Sequence, residues 1–267
     1  MNLRPLLELC RVSNLPTVWS NAVMGIGIGL LIIDPETIYE ADTRTIVIII
    51  IFAAPACLAM SLFYSAGMII NDWIDRDIDA VERPSRPIPS GRVKAADAKI
   101  LGTVMLGSGF LLVVLTQALL GPMRLEPPLE APIMAGVLIL AIFGYNLLHQ
   151  RTWLAVWVMG ACRGLVVLTC MSIVTTADEL ENASHLWLWI AGPCATLLLY
   201  TVLISIVARN EMQPRWFGGP KTVMNMIAAM PLLDAIWLAV IGLWPVSLFC
   251  IGCSVLTKLS HRKIAGS

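Results

Sequence analysis

Residues 45–70 read TIVIIIIFAAPACLAMSLFYSAGMII, an apolar run without one charged side chain, and it passes directly into Asn71-Asp72-Trp73-Ile74-Asp75-Arg76-Asp77-Ile78-Asp79. A bilayer core takes about 20 apolar residues of helix. The run is therefore longer than a span requires, and its polar end projects beyond the lipid. Working outward, similar runs recur at 15–33, 97–120, 131–148, 153–175, 186–208, 222–242 and 245–259. They lack the alternation of barrel strands, and irregular backbone is too costly in hydrocarbon. Pro, Gly or charge separates them, as suits loops. The expected fold is all-α: one domain over 1–267, a transmembrane helical bundle of about eight spans.

Composition agrees. Hydrophobic residues make up 58% and charged residues 13%, against roughly a quarter charged in soluble domains. Lys+Arg and Asp+Glu are both 18, which argues against a basic nucleic-acid binder and an acidic disordered tail. The charges are sorted by side. Connections 34–44, 121–130 and 176–185 carry Asp34, Glu36, Glu40, Asp42, Glu126, Glu130, Asp178, Glu179 and Glu181 against Arg44 and Arg124. The opposite side receives Arg4, Arg11, Arg76, Arg83, Arg86, Arg92, Lys94, Lys99, Arg151, Arg209, Arg215, Lys221, Lys258, Arg262 and Lys263. Basic loops stay inside, so both termini are expected in the cytoplasm and the chain in the inner (plasma) membrane. Residues 1–14 lack a signal-peptide layout, and Leu3, Leu6, Leu7 and Cys10 recur at helical spacing, which predicts a short interfacial helix. Six of the seven Cys lie in apolar spans, including Cys250-x-x-Cys253, and packing suffices to explain them. The three His are scattered and form no metal-ligand spacing.

The chemistry concentrates at the end of the second span. At 100° per residue, Asp72, Asp75 and Asp79 fall within about 60° of one another, and Asn71 widens the arc to roughly 100°, whereas Asp77 points elsewhere. Such a stripe repels itself unless a cation neutralises it. Hard oxygen donors at this density suit Mg²⁺, which accepts phosphate oxygens as further ligands. Arg83 and Arg86 follow, with Pro84 and Pro87 stiffening the turn and Gly91 closing it. Carboxylates that recruit Mg²⁺ beside guanidinium forks make a diphosphate site. The plainer reading is a solvated helix end, which the one-sided stripe and the adjoining basic segment oppose. A second stretch, Ser205-IVARNEMQPRWFGGPKT, offers Asn210 and Glu211 as oxygen ligands and Arg209, Arg215 and Lys221 as cations, although a basic loop after a span is the default. Residues 71–99 and 209–221 are thus two candidate cytoplasmic caps. Arg163 and Asp234 fall inside spans, where each needs a cavity or a partner. Arg163 is read either as an anion ligand or as a structural ion-pair member, and Asp234 as a structural hydrogen-bonding group. Trp19, Trp153, Trp157, Trp187, Trp189 and Trp244 sit near span ends, where interfacial anchoring explains them.

Asn71-Asp72-x-x-Asp75-x-x-x-Asp79 followed by Arg83-x-x-Arg86-Pro87-Ile88 and Gly91 resembles the first aspartate-rich motif of the UbiA-type intramembrane prenyltransferase superfamily. Arg11-x-x-Asn14 resembles that family's opening pattern. The resemblance implies a bundle around a cavity open laterally to lipid, with two aspartate-rich motifs holding Mg²⁺ on a prenyl diphosphate. By it, Asp72, Asp75 and Asp79 would be catalytic, and Asn71, Asp72, Asp75, Asp79, Asn210 and Glu211 would form the metal site. Asn14, Arg83, Arg86, Arg151, Arg209 and Lys221 would bind substrate. The partners implied are a prenyl diphosphate, a lipophilic or aromatic acceptor and membrane lipid, with no nucleic acid and no obligate protein partner.

The chain departs from the family pattern in two places. The second motif reads Ala208-Arg209-Asn210-Glu211, and Gln150-Arg151 stands where many members carry Lys. This degenerate half is similar to a divergent branch of the superfamily that includes the EboC-like proteins. The competing function is a non-catalytic UbiA-like membrane protein that binds or moves a lipophilic metabolite. No Asp-Gly-x-x-Ala-Arg pattern supports a CDP-alcohol phosphatidyltransferase. The acids lie at the rim rather than at the midplane that ion-coupled transport favours.

Overall fold

The computed structural model describes residues 3–34, 43–120, 129–149, 152–210 and 220–263, and they are helical nearly throughout. Helix α1 (Leu3–Leu9) leads through a 3-10 turn (Val12–Asn14) into α2 (Leu15–Ile33). Next come α3 (Thr43–Ile74), the short α4 (Arg76–Glu82), α5 (Ala95–Leu120), α6 (Glu130–Leu148) and α7 (Leu154–Val174). Then α8 (Ala177–Asn182) is followed by α9 (Trp187–Asn210), α10 (Pro220–Ile241) and α11 (Trp244–Lys263).

Among the described residues, seven helices are long and apolar enough to cross a bilayer. The eighth long helix, α11, has 20 residues, but its sequence carries Lys258, Arg262 and Lys263 toward the end. Eight long helices among the described residues thus match the eight apolar runs, and the chain is an integral membrane protein. Helix α3 has 32 residues, a length of about 48 Å against a core of about 30 Å, so its last turns stand clear of the hydrocarbon. Trp153, Trp187 and Trp244 are exposed at helix starts. Cys250 and Cys253 are free thiols buried in the packing of α11.

Neighbours in sequence pack as neighbours in space: α3 on α5, α5 on α6, α6 on α7, α7 on α9, α9 on α10 and α10 on α11. Helix α2 lies inside this series, against α3, α7, α10 and α11, and is buried along nearly its whole length. Its sequence permits that position. A Cβ on Gly25 would overlap the Val167 carbonyl oxygen and stand 2.8 Å from the Cys170 Cβ; one on Gly29 would overlap Val174 and meet the Met171 carbonyl oxygen at 3.0 Å. Two glycines one turn apart let two backbones approach closely, which drives helix association where lipid removes the hydrophobic incentive.

The charged end is a packed cap. Leu9, Ile69, Ile88, Val93 and Ala98 form a small core joining α1, the end of α3, the segment after α4 and the start of α5. Gly91 takes a left-handed φ of 72° in the turn, where its N–H donates to the Ile88 carbonyl oxygen at 3.0 Å. Arg92 Nη1 donates to Glu8 Oε2 at 2.7 Å and Nη2 to the Ser85 carbonyl oxygen at 2.6 Å, fastening the cap to α1. At the other end of the bundle, the expected loop 176–185 contains α8, started by a capping box between Thr176 and Glu179.

Candidate active site

The aspartate stripe is divided rather than convergent. The amide of Asp75 donates to Asn71 and that of Asp79 to Asp75, but Asp75 stands at the junction between α3 and α4. Asp72 and Asp79 turn toward the cap, where Arg86 Nη1 meets Asp79 Oδ2 at 2.6 Å and Asp72 Oδ1 at 3.3 Å. Arg86 is only 6% exposed, as are its partners within a few per cent; a buried guanidinium of this kind holds the cap together. Arg11 Nη2 reaches Asp72 Oδ1 at 3.4 Å. Asp75 faces the other way, with its Oδ2 2.9 Å from His149 Nε2 at the end of α6. Asp77 is exposed, consistent with its place off the stripe.

These groups frame a mouth of about 550 Å³ lined by Arg11, Asn71, Asp75, Arg83, Ser85, Arg86, Tyr145 and His149. Beneath it lies a chamber of about 190 Å³, walled mainly by side chains such as Met60, Phe63, Leu138, Ile142, Val166 and Met230. Arg11, Asn71 and Tyr145 line both spaces, so a polar vestibule stands directly over an apolar hollow. Arg11 adopts a left-handed backbone, φ 46° and ψ 49°, which costs an L residue of this kind about 1–2 kcal/mol and is the sort of strain that collects at functional sites.

The candidate residues are distributed unevenly. Asn14 lines the chamber; its Nδ2 donates to Tyr64 Oη at 3.1 Å and its Oδ1 lies 2.7 Å from His261 Nε2. Arg83 and Arg86 line the mouth, Arg83 exposed and Arg86 tied to carboxylates. Arg209 and Lys221 are exposed at the end of α9 and the start of α10, and line neither space. Asn210 closes α9, while Arg151 and Glu211 lie outside the described residues. Sequence reasoning missed His149, Tyr145, Tyr64 and Asn21. Tyr145 and His149 are four residues apart, stack at 5.5 Å and fall at the basic end of a span, a spacing that could have drawn attention to them. Asn21 carried no such signal.

Among the described residues no three His, Cys, Asp or Glu side chains come together as a ready metal cage. The donor set nevertheless suits a hard cation in kind, because Asn71 and Asp75 supply oxygens at the mouth and Asp72 stands beside them. Mg²⁺ is commonly held by one or two carboxylates plus phosphate oxygens, so the residues fit an ion that arrives with a diphosphate better than a resident one.

The match to known proteins follows this geometry. The model of the UbiA prenyltransferase family matches residues 23–265. The chain belongs to that family. Relatives of this UbiA-family chain include the digeranylgeranylglyceryl phosphate synthases of Ignicoccus hospitalis, 36% identical over 41% of this chain and 31% of that one, and of Methanopyrus kandleri, 35% identical over 42% and 36%. The Sulfurisphaera tokodaii synthase is 42% identical over 22% of each chain. The matched part thus spans well under half the length of these curated relatives. In three dimensions the chain resembles a solved structure from work on digeranylgeranylglyceryl phosphate synthase in membranes, with a TM-score of 0.52 and 20% identity over 98% of this chain and 95% of that one. The family match and the structural likeness thus each extend over most of the chain.

Proposed function

We propose that this UbiA-family chain is an intramembrane prenyltransferase that moves a prenyl group from a prenyl diphosphate to a lipophilic or aromatic acceptor. One observation carries the reading: the charged mouth and the apolar chamber share Arg11, Asn71 and Tyr145 as walls. A molecule with a diphosphate head and an isoprenoid tail has the same two halves in the same order, and its tail need never leave the membrane.

Arg11 and Arg83 face the diphosphate, where guanidinium forks match phosphate oxygens. His149 steadies Asp75 from α6, and Arg86 keeps Asp72 and Asp79 from repelling each other. Asn71 and Asp75, with Asp72, would hold Mg²⁺, which supplies neutralisation of the charge that grows on the leaving diphosphate. The chamber walls exclude water from the allylic carbon, which would otherwise be captured as an alcohol. In the transfer the C1–O bond to diphosphate breaks and a bond forms from C1 to the nucleophilic atom of the acceptor. The acceptor's proton leaves toward the diphosphate at the mouth. The curated relatives are named for making digeranylgeranylglyceryl phosphate, which favours an isoprenoid glyceryl phosphate as the acceptor class to try first. The basic mouth is assigned to the cytoplasmic side and both termini with it, in the inner (plasma) membrane.

The test is release of diphosphate from a labelled prenyl diphosphate by the protein in lipid nanodiscs. Release is expected to need Mg²⁺ and to fall by about two orders of magnitude in Asp75→Ala. Binding of the prenyl diphosphate without turnover, across chain lengths and acceptors, would instead make the chain a carrier of lipophilic phosphates.

A further inference from the structure

Away from the mouth and the chamber, two cations share one aromatic ring. Trp73, in the last turn of α3, is half-buried against the small core of the cap. The Arg76 guanidinium lies 5.5 Å from the centre of its ring, and the Lys99 ammonium, in the second turn of α5, lies 5.0 Å from it. Arg76 Nη1 also donates to the Trp73 carbonyl oxygen at 3.0 Å. None of the three residues lines the mouth or the chamber, so prenyl transfer leaves them without a use.

The ring attracts both cations and holds them no more than about 10.5 Å apart, where their repulsion is only partly screened in physiological salt. Little acid offsets them. Arg76 Nη2 reaches Asp77 Oδ2 at 3.5 Å, but that carboxylate is exposed and such surface pairs contribute little. Among the described residues no carboxylate pairs with Lys99. Asp97 is two residues earlier on α5, about 200° around the helix and so on its other side. A phosphate, with an oxygen for each cation, would relieve the repulsion.

The helix beside this pair supplies the rest of a lipid site. The apolar run of α3 ends at Ile70, so Trp73 marks the bilayer edge on the basic side. From Lys99 an exposed row runs along α5 at four-residue spacing through Thr103, Gly107 and Leu111. A Cβ on Gly107 would meet nothing within 4 Å. Open space therefore lies beside the helix about 12 Å from Lys99 toward the hydrocarbon.

We propose that Trp73, Arg76 and Lys99 form a surface site for an anionic phospholipid. Its phosphate bridges the guanidinium and the ammonium, and one acyl chain follows the row through Thr103, Gly107 and Leu111. A net anionic head group is favoured over a zwitterionic one, whose own cation would be brought against the same two charges. The indole fixes both cations at the bilayer edge. The inference needs α3 and α5 to cross the membrane and is independent of prenyl transfer.

The test is native mass spectrometry of the full chain in detergent micelles carrying equal amounts of phosphatidylglycerol and phosphatidylcholine. The readout is the ratio of the two lipids on protein that holds one lipid. The wild type is expected to favour phosphatidylglycerol by about tenfold or more, since each basic residue near lipid charge is worth a factor of about five. Lys99→Gln, at an exposed position, should lower the ratio about fivefold, and Arg76→Gln/Lys99→Gln should bring it near one. Trp73→Leu should lower it with both cations kept, and Trp73→Phe should restore part of it. Lys258→Gln removes an exposed cation on α11 and should leave the ratio within about twofold. No preference in the wild type, or a preference kept by the double variant, overturns the inference. An equal fall in Lys258→Gln also overturns it, because net charge alone would then suffice. So does displacement of the lipid by millimolar glycerol phosphate, which would make this a site for free phosphate.

Discussion

Arg83 and Arg86 are three residues apart and both basic, yet their surroundings give them opposite duties. Arg86 is buried between Asp72 and Asp79, whereas Arg83 is exposed at the rim. Arg86→Ala is expected to leave two buried carboxylates facing each other and to cost about 3–5 kcal/mol, read as a lower unfolding midpoint in detergent. Arg83→Ala should change stability by no more than about 0.5 kcal/mol but weaken prenyl diphosphate binding by about tenfold. If the two variants lose stability equally, Arg86 is not the keystone of the cap. The Asp-rich motif itself was legible as a cluster of charge at a helix end, because repeated carboxylates beside arginines stand out against the apolar run before them. Which carboxylate meets which cation was not legible. Helical phase gives direction around one axis and says nothing of Arg11 arriving from the turn after α1 or His149 from the cap of α6.

At the scale of elements, α2 decides how closely the bundle can pack. Its small residues meet α7 backbone to backbone, with Gly25 against Val167 and Gly29 against Met171 and Val174. Gly25→Val is expected to push the helices apart and destabilise the protein by about 1–3 kcal/mol, with a parallel loss of binding because Asn21 and Arg163 sit on these same two helices. A variant as stable as the wild type by thermal unfolding would show that the contact is looser than described. Apolar periodicity could not single out α2, since a helix buried all round and one facing lipid read alike in sequence.

For the whole molecule, the sorting of basic residues to one side, with eight long helices among the described residues, leads us to expect both termini on the same face. Reporter fusions check this: a cytoplasm-active reporter at the C-terminus should be active, and an exported reporter placed between α7 and α8 should be active too. The opposite pattern would invert the molecule and move the mouth away from the cytoplasm. The bundle also explains why the charged mouth and the apolar chamber stand at different depths. The mouth is built where α3 outruns the bilayer, and the chamber where α2, α3, α6, α7, α9 and α10 leave apolar space below it.

The sequence alone determined the apolar runs that form the long helices, the basic side and the acidic motif, because hydrophobicity and charge are written residue by residue. Only the tertiary structure decided that Arg86 holds the cap, that His149 joins Asp75, and that Arg163 looks into the chamber through Asn21. The last two of those pairings join residues far apart in the chain. Their energies depend on which helix faces meet, a choice made by close packing of glycines and side-chain shape rather than by any local pattern.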